Sequence, residues 1–190
     1  MKKVELRKIY LQKRSQLTPD QRVDLSYRIS KLFFDQVYKT SFLHVHIFLP
    51  IIKFNEIDTW QIIRHFEQNK YPTRLLISRS DLQTGKMINY YYDPIHRLIE
   101  NRWGIPEPET GDLCDNLSID LVFVPLLVFD RNGHRVGYGK GFYDRFLSEC
   151  RKDVLKVGLS YESPVESIED VNENDVRLDC VITPERVYWF

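Results

Sequence analysis

In the first 40 residues, the apolar positions recur with the spacing of amphipathic helices. The segment that ends near Leu17 has helix-forming residues with basic side chains between its apolar positions, which predicts a helix with a basic face. In the next segment, Thr18 has the side chain of an N-cap and Pro19 suits the first helical turn. The pattern therefore predicts a second helix directly after the first.

Beyond residue 40, short β-branched and aromatic runs bounded by turn residues predict strands. The predicted strands are 42–50, 73–80, 86–93, 119–130, 154–160 and 180–190. A helix that Asp58 or Thr59 would cap follows the first strand, and another helix is predicted over 141–152. Residues 99–112 contain two prolines and are predicted as a loop.

Strands that alternate with helices indicate an α/β fold. The run over 119–130 is apolar almost throughout, as in a strand that is covered on both faces. The chain has 190 residues, of which 43% are hydrophobic, so it is long enough for one domain with a substantial core. We therefore expect residues 1–190 to form a single-domain three-layer αβα sandwich with a mostly parallel central sheet.

The charge balance narrows the classes of partner. Lys and Arg number 27, and Asp and Glu also number 27, so no overall field attracts nucleic acid or an anionic membrane. Cys114, Cys150 and Cys180 are far apart and form no CxxC pair, which predicts buried free thiols. The charged N-terminal segment and the lack of a long apolar run predict a cytoplasmic protein, and no feature of the sequence implies an obligate protein partner.

A glycine-rich turn lies between a predicted strand and a predicted helix. Gly137, Gly139 and Gly141 alternate there, and glycine permits positive φ and close approach of a ligand to the backbone. Free N–H groups at a helix N-terminus form an anion site, which favours phosphate. The Walker pattern is not met, because Lys140 is followed by glycine instead of a hydroxyl residue, and the spacing GxGxxG is also absent. Asp144, one turn into the helix, is either a charge that complements the dipole or a magnesium ligand.

Two other patterns have weaker interpretations. His44 and His46 alternate along a strand and could share a metal, but no third ligand follows at useful spacing. The tyrosines at 90–92 are more typical of a strand with one solvent-exposed face than of a platform on which nucleic-acid bases stack.

The segment FDRNGHRVGYGKGFYDRFL resembles the signature segment of the 5-formyltetrahydrofolate cyclo-ligase family, also called 5,10-methenyltetrahydrofolate synthetase. Four further segments resemble family blocks in the same order: KVELR, FLPIIKFNEIDT, WGIPEPETG and VNENDVRLD. The resemblance implies an enzyme that uses ATP and Mg²⁺ to convert 5-formyltetrahydrofolate into 5,10-methenyltetrahydrofolate, with release of ADP and phosphate.

The resemblance also implies site residues. ATP contacts are expected at Lys3, Arg7, Arg135, Gly137, Tyr138, Gly139, Lys140, Gly141, Phe142 and Tyr143. Folate contacts are expected at Arg7, Lys53, Glu56, Asp58, Trp103, Tyr138, Gly139, Lys140, Gly141 and Phe142. Lys140 and Arg145 are the expected catalytic residues, and Asp144 and Asp179 the expected metal ligands.

Residue chemistry adds to three of these assignments. Lys3 and Arg7 have i, i+4 spacing, so two cations on one helix face could bind one polyphosphate. Asp58 could either contact the folate or only cap the following helix. Trp103 lies in a predicted loop, where stacking on a flat ligand is a favoured use of its ring.

Two competing functions stay open on the residues alone. A sugar-phosphate isomerase or acyl-transfer enzyme on a similar sandwich would hold a substrate phosphate in the glycine turn without ATP. A nucleotide-sensing module would bind ATP without turnover. Turnover of 5-formyltetrahydrofolate with magnesium-ATP separates both from the cyclo-ligase hypothesis.

Overall fold

One sheet of seven strands forms the centre of the molecule. The computed structural model describes residues 1–81, 83–101 and 104–190. The helices are α1 (Lys3–Ser15), α2 (Pro19–Leu32), α3 (Trp60–Asn69) and α4 (Phe142–Glu149). The strands are β1 (His44–His46), β2 (Arg74–Ser80), β3 (Met87–Tyr91), β4 (Leu98–Glu100), β5 (Pro106–Pro108), β6 (Leu121–Pro125), β7 (Val128–Phe129), β8 (Arg135–Val136), β9 (Leu155–Leu159), β10 (Cys180–Ile182) and β11 (Val187–Trp189).

The sheet is mostly parallel, as predicted. Its strand order is β11-β10-β9-β6-β1-β2-β3. The five inner strands pair in parallel, whereas β3 and β11 pair antiparallel at the two edges. Two short antiparallel ribbons, β4–β5 and β7–β8, lie outside this sheet.

The two faces of the sheet bury separate apolar clusters, which makes the predicted three-layer arrangement. On β6, Phe123 packs in the cluster that contains residues of α2 and α3. Its neighbours Val122 and Val124 point to the other face and pack in the cluster that contains Phe146 of α4. Because successive side chains alternate across a strand, a strand covered on both faces is apolar throughout. Full burial of one such apolar side chain contributes about 1.5–3 kcal/mol to the free energy of unfolding.

The helix starts follow local chemistry. The Thr18 side chain accepts a hydrogen bond from the Gln21 backbone N–H at 3.2 Å, and the Gln21 side chain accepts one from the Thr18 N–H at 2.9 Å, which confirms the predicted N-cap. Thr59 precedes α3 but does not cap it through its hydroxyl, which donates to the Phe48 carbonyl at 2.6 Å. The predicted cap at Thr59 is therefore correct in position but not in its hydrogen bond.

Several predicted elements differ from the structure in kind or extent. The strand predicted over 42–50 is observed only over His44–His46. The loop predicted over 99–112 contains the β4–β5 ribbon, which tolerates Pro106 and Pro108 because the alternate residues make the ladder bonds. The strand predicted over 119–130 ends at Pro125, and β7 pairs separately with β8. The strand predicted over 180–190 is a hairpin of β10 and β11.

The structure also bears on the predictions about membrane spans and cysteines. In the described part of the chain, no helix is long and apolar enough to cross a membrane. The three cysteines are free, with Cys150 and Cys180 buried as expected, but Cys114 is only half-buried.

Close packing around β9 generates a stability prediction. A Cβ at Gly158 would lie 2.7 Å from side-chain atoms of Leu126 and Leu178 and 2.8 Å from Val181. We expect Gly158→Ala to lower the free energy of unfolding by about 1–3 kcal/mol, because the added methyl group overpacks the core. Denaturant unfolding measures this loss. Gly111→Ala is the control, since its Cβ would meet Tyr90 only at an ordinary 3.4 Å, and equal losses in both variants would contradict the prediction.

Candidate active site

A pocket of about 420 Å³ opens at the carboxyl ends of the parallel strands. His46, Ser80 and Pro125, which end β1, β2 and β6, lie in its wall. The turn before α4, residues of α1 and residues of β5 also line it. Ligands of open α/β sheets bind in the crevice at this edge, so the position of the pocket makes it the candidate active site.

Two glycines of the turn have positive φ and lie close to arginine side chains. Gly139 and Gly141 have φ of +84° and +68°, whereas Gly137 does not have positive φ. A Cβ at Gly139 would lie 3.0 Å from the guanidinium of Arg7, and one at Gly141 would lie 2.9 Å from Arg145. Gly141 is the N-cap of α4, so the positive end of the helix dipole faces the pocket.

Cations from distant parts of the chain meet at this turn. Lys3 and Arg7 of α1 both line the pocket, and so does Lys140 of the turn. The Arg7 Nε donates to the carbonyl of Gly137 at 2.9 Å, which holds α1 against the turn. The predicted pairing of Lys3 and Arg7 on one helix face thus exists, and the face points into the pocket.

Two carboxylates stand at the same end of the pocket. Asp144 accepts hydrogen bonds from Arg135 at 2.7 Å and from the Val176 N–H at 3.1 Å. Asp175 also lines the pocket, where its side chain pairs with Lys3. The sequence reasoning missed Asp175, although it lies within the block VNENDVRLD, which carries part of the family resemblance.

Asp179 lies at the opposite edge of the sheet. It directly precedes β10, so it stands at the amino end of that strand, where its carboxylate binds the backbone N–H and the Nζ of Lys156 at 2.7 and 2.8 Å. It does not line the pocket that contains Asp144. The structure therefore does not bring the two predicted metal ligands together, because strand direction places them at opposite ends.

Glu56 is a buried acid in the pocket wall. Its side chain accepts a hydrogen bond from the Ile51 N–H at 2.7 Å and one from the Tyr138 hydroxyl at 2.6 Å. Burial raises the pKa of Glu56 above its usual 4.5, and these two hydrogen bonds offset part of that rise. Phe48, Leu49 and neighbouring apolar side chains line the same end of the pocket.

Three other predicted contacts have different positions. Asp58 is outside the pocket lining; its carboxylate is 3.6 Å from Arg64, and its backbone N–H donates to Ser26. Lys53 holds its Nζ over the ring of Phe54, which lines the pocket, so Lys53 is at the rim. Trp103 lies outside the described residues.

Arg145 anchors the glycine turn from outside the pocket. Its Nε donates to the carbonyl of Gly85 at 3.0 Å, and its guanidinium donates to the carbonyl of Lys140 at 3.0 Å. It therefore connects the turn to the loop between β2 and β3. The structure supports a positioning role for Arg145 more directly than the predicted catalytic one.

The two histidines of β1 form hydrogen bonds within the protein. His46 is fully buried and contacts the Ser78 hydroxyl at 2.6 Å, and burial lowers its pKa to about 3. His44 contacts the carbonyl of Ser118 at 3.0 Å. Among the described residues, no group of three His, Cys, Asp or Glu side chains is placed to hold a metal.

The pocket thus joins a cationic end with a helix N-terminus to an apolar end that contains the buried Glu56. A sequence model of the 5-formyltetrahydrofolate cyclo-ligase family matches residues 1–184. The chain belongs to this family. The site described above is therefore the candidate active site of a cyclo-ligase, in which the glycine turn is part of the resemblance noted from the sequence.

Individual cyclo-ligases resemble the chain over most of its length. The 5-formyltetrahydrofolate cyclo-ligase of Escherichia coli is 27% identical, over 93% of this chain and 97% of the relative. The enzyme of that name from Mus musculus is 30% identical, over 67% and 68%. The NMR structure of Aquifex aeolicus 5,10-methenyltetrahydrofolate synthetase aligns with a TM-score of 0.84 at 27% identity, over 100% of this chain and 93% of that one.

The buried acid generates a pH prediction. Because the folded-state pKa of Glu56 is raised, the folded protein binds more protons than the unfolded chain above about pH 4.5. The stabilisation that protonated Glu56 gives to the folded state is therefore complete below about pH 4.5 and is lost as the pH rises through the folded-state pKa. We expect the free energy of unfolding of the native protein, relative to Glu56→Gln, to fall as pH rises through this window. Denaturant titrations at several pH values measure the difference, and a pH-independent difference would contradict it.

Proposed function

We propose that this protein converts 5-formyltetrahydrofolate into 5,10-methenyltetrahydrofolate, with ATP as co-substrate and release of ADP and phosphate. The observation that carries the proposal is the pocket, in which cations and a helix N-terminus lie beside apolar side chains and a buried acid. Membership of the cyclo-ligase family supports it further.

ATP occupies the cationic end in this proposal. The turn from Gly137 to Gly141 offers backbone N–H groups at the start of α4, and Lys3, Arg7 and Lys140 supply positive charge. Arg135 keeps Asp144 in place through an ion pair of 2.7 Å. This end therefore has the donors that a triphosphate needs.

The folate occupies the apolar end. Phe48, Leu49, Ile51 and Phe54 suit the flat pterin ring, and the Glu56 carboxylate accepts hydrogen bonds from its amino group and ring N–H. Asp58 is not part of this proposed contact set, because it lies against α2 and α3 instead of in the pocket.

Mg²⁺ fits the acids at the phosphate end. Asp144 and Asp175 line one pocket, and the backbone N–H of Val176, next to Asp175, binds the Asp144 carboxylate. Mg²⁺ takes one or two protein carboxylates together with phosphate oxygens and water. When bound, it would neutralise phosphate charge during transfer. We propose Asp144 and Asp175 as its ligands, in place of the predicted pair with Asp179.

The chemistry needs positioning more than a protein nucleophile. In the proposed route, the formyl oxygen attacks the γ-phosphorus of ATP and ADP leaves. The N10 amine then adds to the activated formyl carbon, loses its proton, and phosphate departs with the former formyl oxygen. The chain's part is to hold the two substrates together and to stabilise phosphate charge through Lys140 and the glycine turn.

The function is tested by incubating the protein with magnesium-ATP and 5-formyltetrahydrofolate. We expect ADP release that requires the folate, together with a rise in near-ultraviolet absorbance from the methenyl product. ATP hydrolysis that is independent of the folate would contradict the proposal, and so would ATP binding without turnover. Cytoplasmic location and the absence of nucleic-acid, membrane and obligate protein partners stay predictions.

The metal assignment predicts a contrast among three aspartates. Asp144→Asn and Asp175→Asn should each lower turnover about 100-fold, the size of one strong electrostatic contact to the transition state, and should raise the magnesium concentration required. Asp179→Asn is the matched control, since its carboxylate faces Lys156 at the other sheet edge. Activity against magnesium concentration, with thermal unfolding to confirm folding, measures the contrast. Loss of turnover only in Asp179→Asn would reverse the assignment.

A further inference from the structure

The Tyr138 hydroxyl forms hydrogen bonds with both the Glu56 carboxylate and the buried guanidinium of Arg14. Tyr138 donates to Glu56 at 2.6 Å, and the same hydroxyl receives an N–H from the Arg14 guanidinium at 3.2 Å. A phenol has one proton to donate, so the hydrogen bonds run in one direction, from arginine through tyrosine to glutamate. Tyr138 lies between Gly137 and Gly139, and its side chain therefore connects the glycine turn to the opposite end of the pocket.

Arg14 lies in the last turn of α1 and is unusual among charged side chains because it is buried. It is only 6% exposed, and in the described part of the chain it has no direct ion pair. Besides Tyr138, its guanidinium donates to the carbonyl of Leu126. A buried charge is costly unless an opposite charge compensates it, and Glu56 is the acid that Arg14 reaches through one hydroxyl.

The loop that carries Glu56 is tied to the same helix. Asn55 adopts a left-handed conformation with φ of 49°, and its side-chain amide donates to the carbonyls of Arg14 and Leu17 at 3.1 and 3.4 Å. The ring of Phe54 packs 5.5 Å from that of Tyr138. The hydrogen-bonded groups are thus held in place by the backbone of α1 and by ring packing.

The other groups that face Glu56 are neutral. The Ile51 N–H binds its carboxylate, and the Tyr161 hydroxyl donates to its backbone carbonyl at 3.1 Å. Tyr143 of α4 is near enough for the Glu56 charge to raise its pKa, and burial raises it more, so this phenol stays protonated. Arg14 is therefore the cation that favours the ionised form of Glu56.

We propose that Arg14 and Tyr138 are positioning residues that orient the Glu56 carboxylate for recognition of the folate ring. This inference rests on the proposed function for the identity of the ligand. Neither side chain needs to touch the reacting atoms. Because Tyr138 belongs to the glycine turn, the same hydroxyl makes the geometry of the folate acceptor depend on the geometry of the nucleotide site.

The test is a titration of the Glu56 carboxyl by carbon-13 NMR in protein without ligand, with Glu56→Gln to assign the signal. Tyr138→Phe keeps the ring and removes the hydroxyl, and Arg14→Met removes the charge from a side chain of similar length. Both changes should move the titration midpoint to higher pH. Tyr161→Phe and Lys13→Met are the controls, because Tyr161 binds the backbone carbonyl and Lys13 pairs with Glu162 at the surface.

An unchanged midpoint in Tyr138→Phe, or an equal change in Tyr161→Phe, would overturn the inference, even if Arg14→Met fails to fold. Binding of 5-formyltetrahydrofolate near neutral pH is measured next, and Tyr138→Phe should weaken it about tenfold, as for one hydrogen bond to a charged group. Loss of affinity that does not diminish at higher pH would also count against the inference. If the midpoints move as expected but the native protein does not bind the folate, the positioning role of Arg14 and Tyr138 is supported and the proposed substrate is wrong.

Discussion

The close contact between α1 and the glycine turn is the constraint on which the site depends. The two segments are 130 residues apart in sequence, yet the Arg7 guanidinium lies against Gly139 and binds the carbonyl of Gly137. A Cβ at Gly139 would crowd this guanidinium at 3.0 Å, and the positive φ of Gly139 also favours glycine. The contact places the cations of α1 in the pocket and fixes the start of α4.

Charges in the pocket are balanced locally. Lys3 pairs with Asp175, Arg135 pairs with Asp144, and Arg14 reaches Glu56 through Tyr138. This balance suits a chain whose net charge is zero, because an anionic ligand must be attracted by local fields. A phosphate ligand would compete with Asp175 for Lys3 and would leave that carboxylate available to a cation. The ion pairs thus hold the cationic end of the pocket in order.

The same elements serve both ends of the pocket. α1 supplies Lys3 and Arg7 to the cationic end, and Arg14, two to three turns later, contacts Tyr138 near the apolar end. The glycine turn likewise supplies N–H groups to one end and the Tyr138 hydroxyl to the other. A reaction that joins two substrates needs both held in register, and rigid elements that span the pocket meet this need.

The sequence by itself determined the layer architecture and the glycine turn at the start of α4. Apolar runs without alternation require cover on both faces, and alternating glycines before a helix leave N–H groups free, so both features follow from local chemistry. Tertiary structure decided which acids serve the site. Asp175 and Asp179 are four residues apart in one block, and Glu56 and Asp58 are two apart, yet only Asp175 and Glu56 line the pocket. The reason is that the direction of β10 and the turn before α3 set where each side chain points, and these depend on contacts with residues far away in the chain.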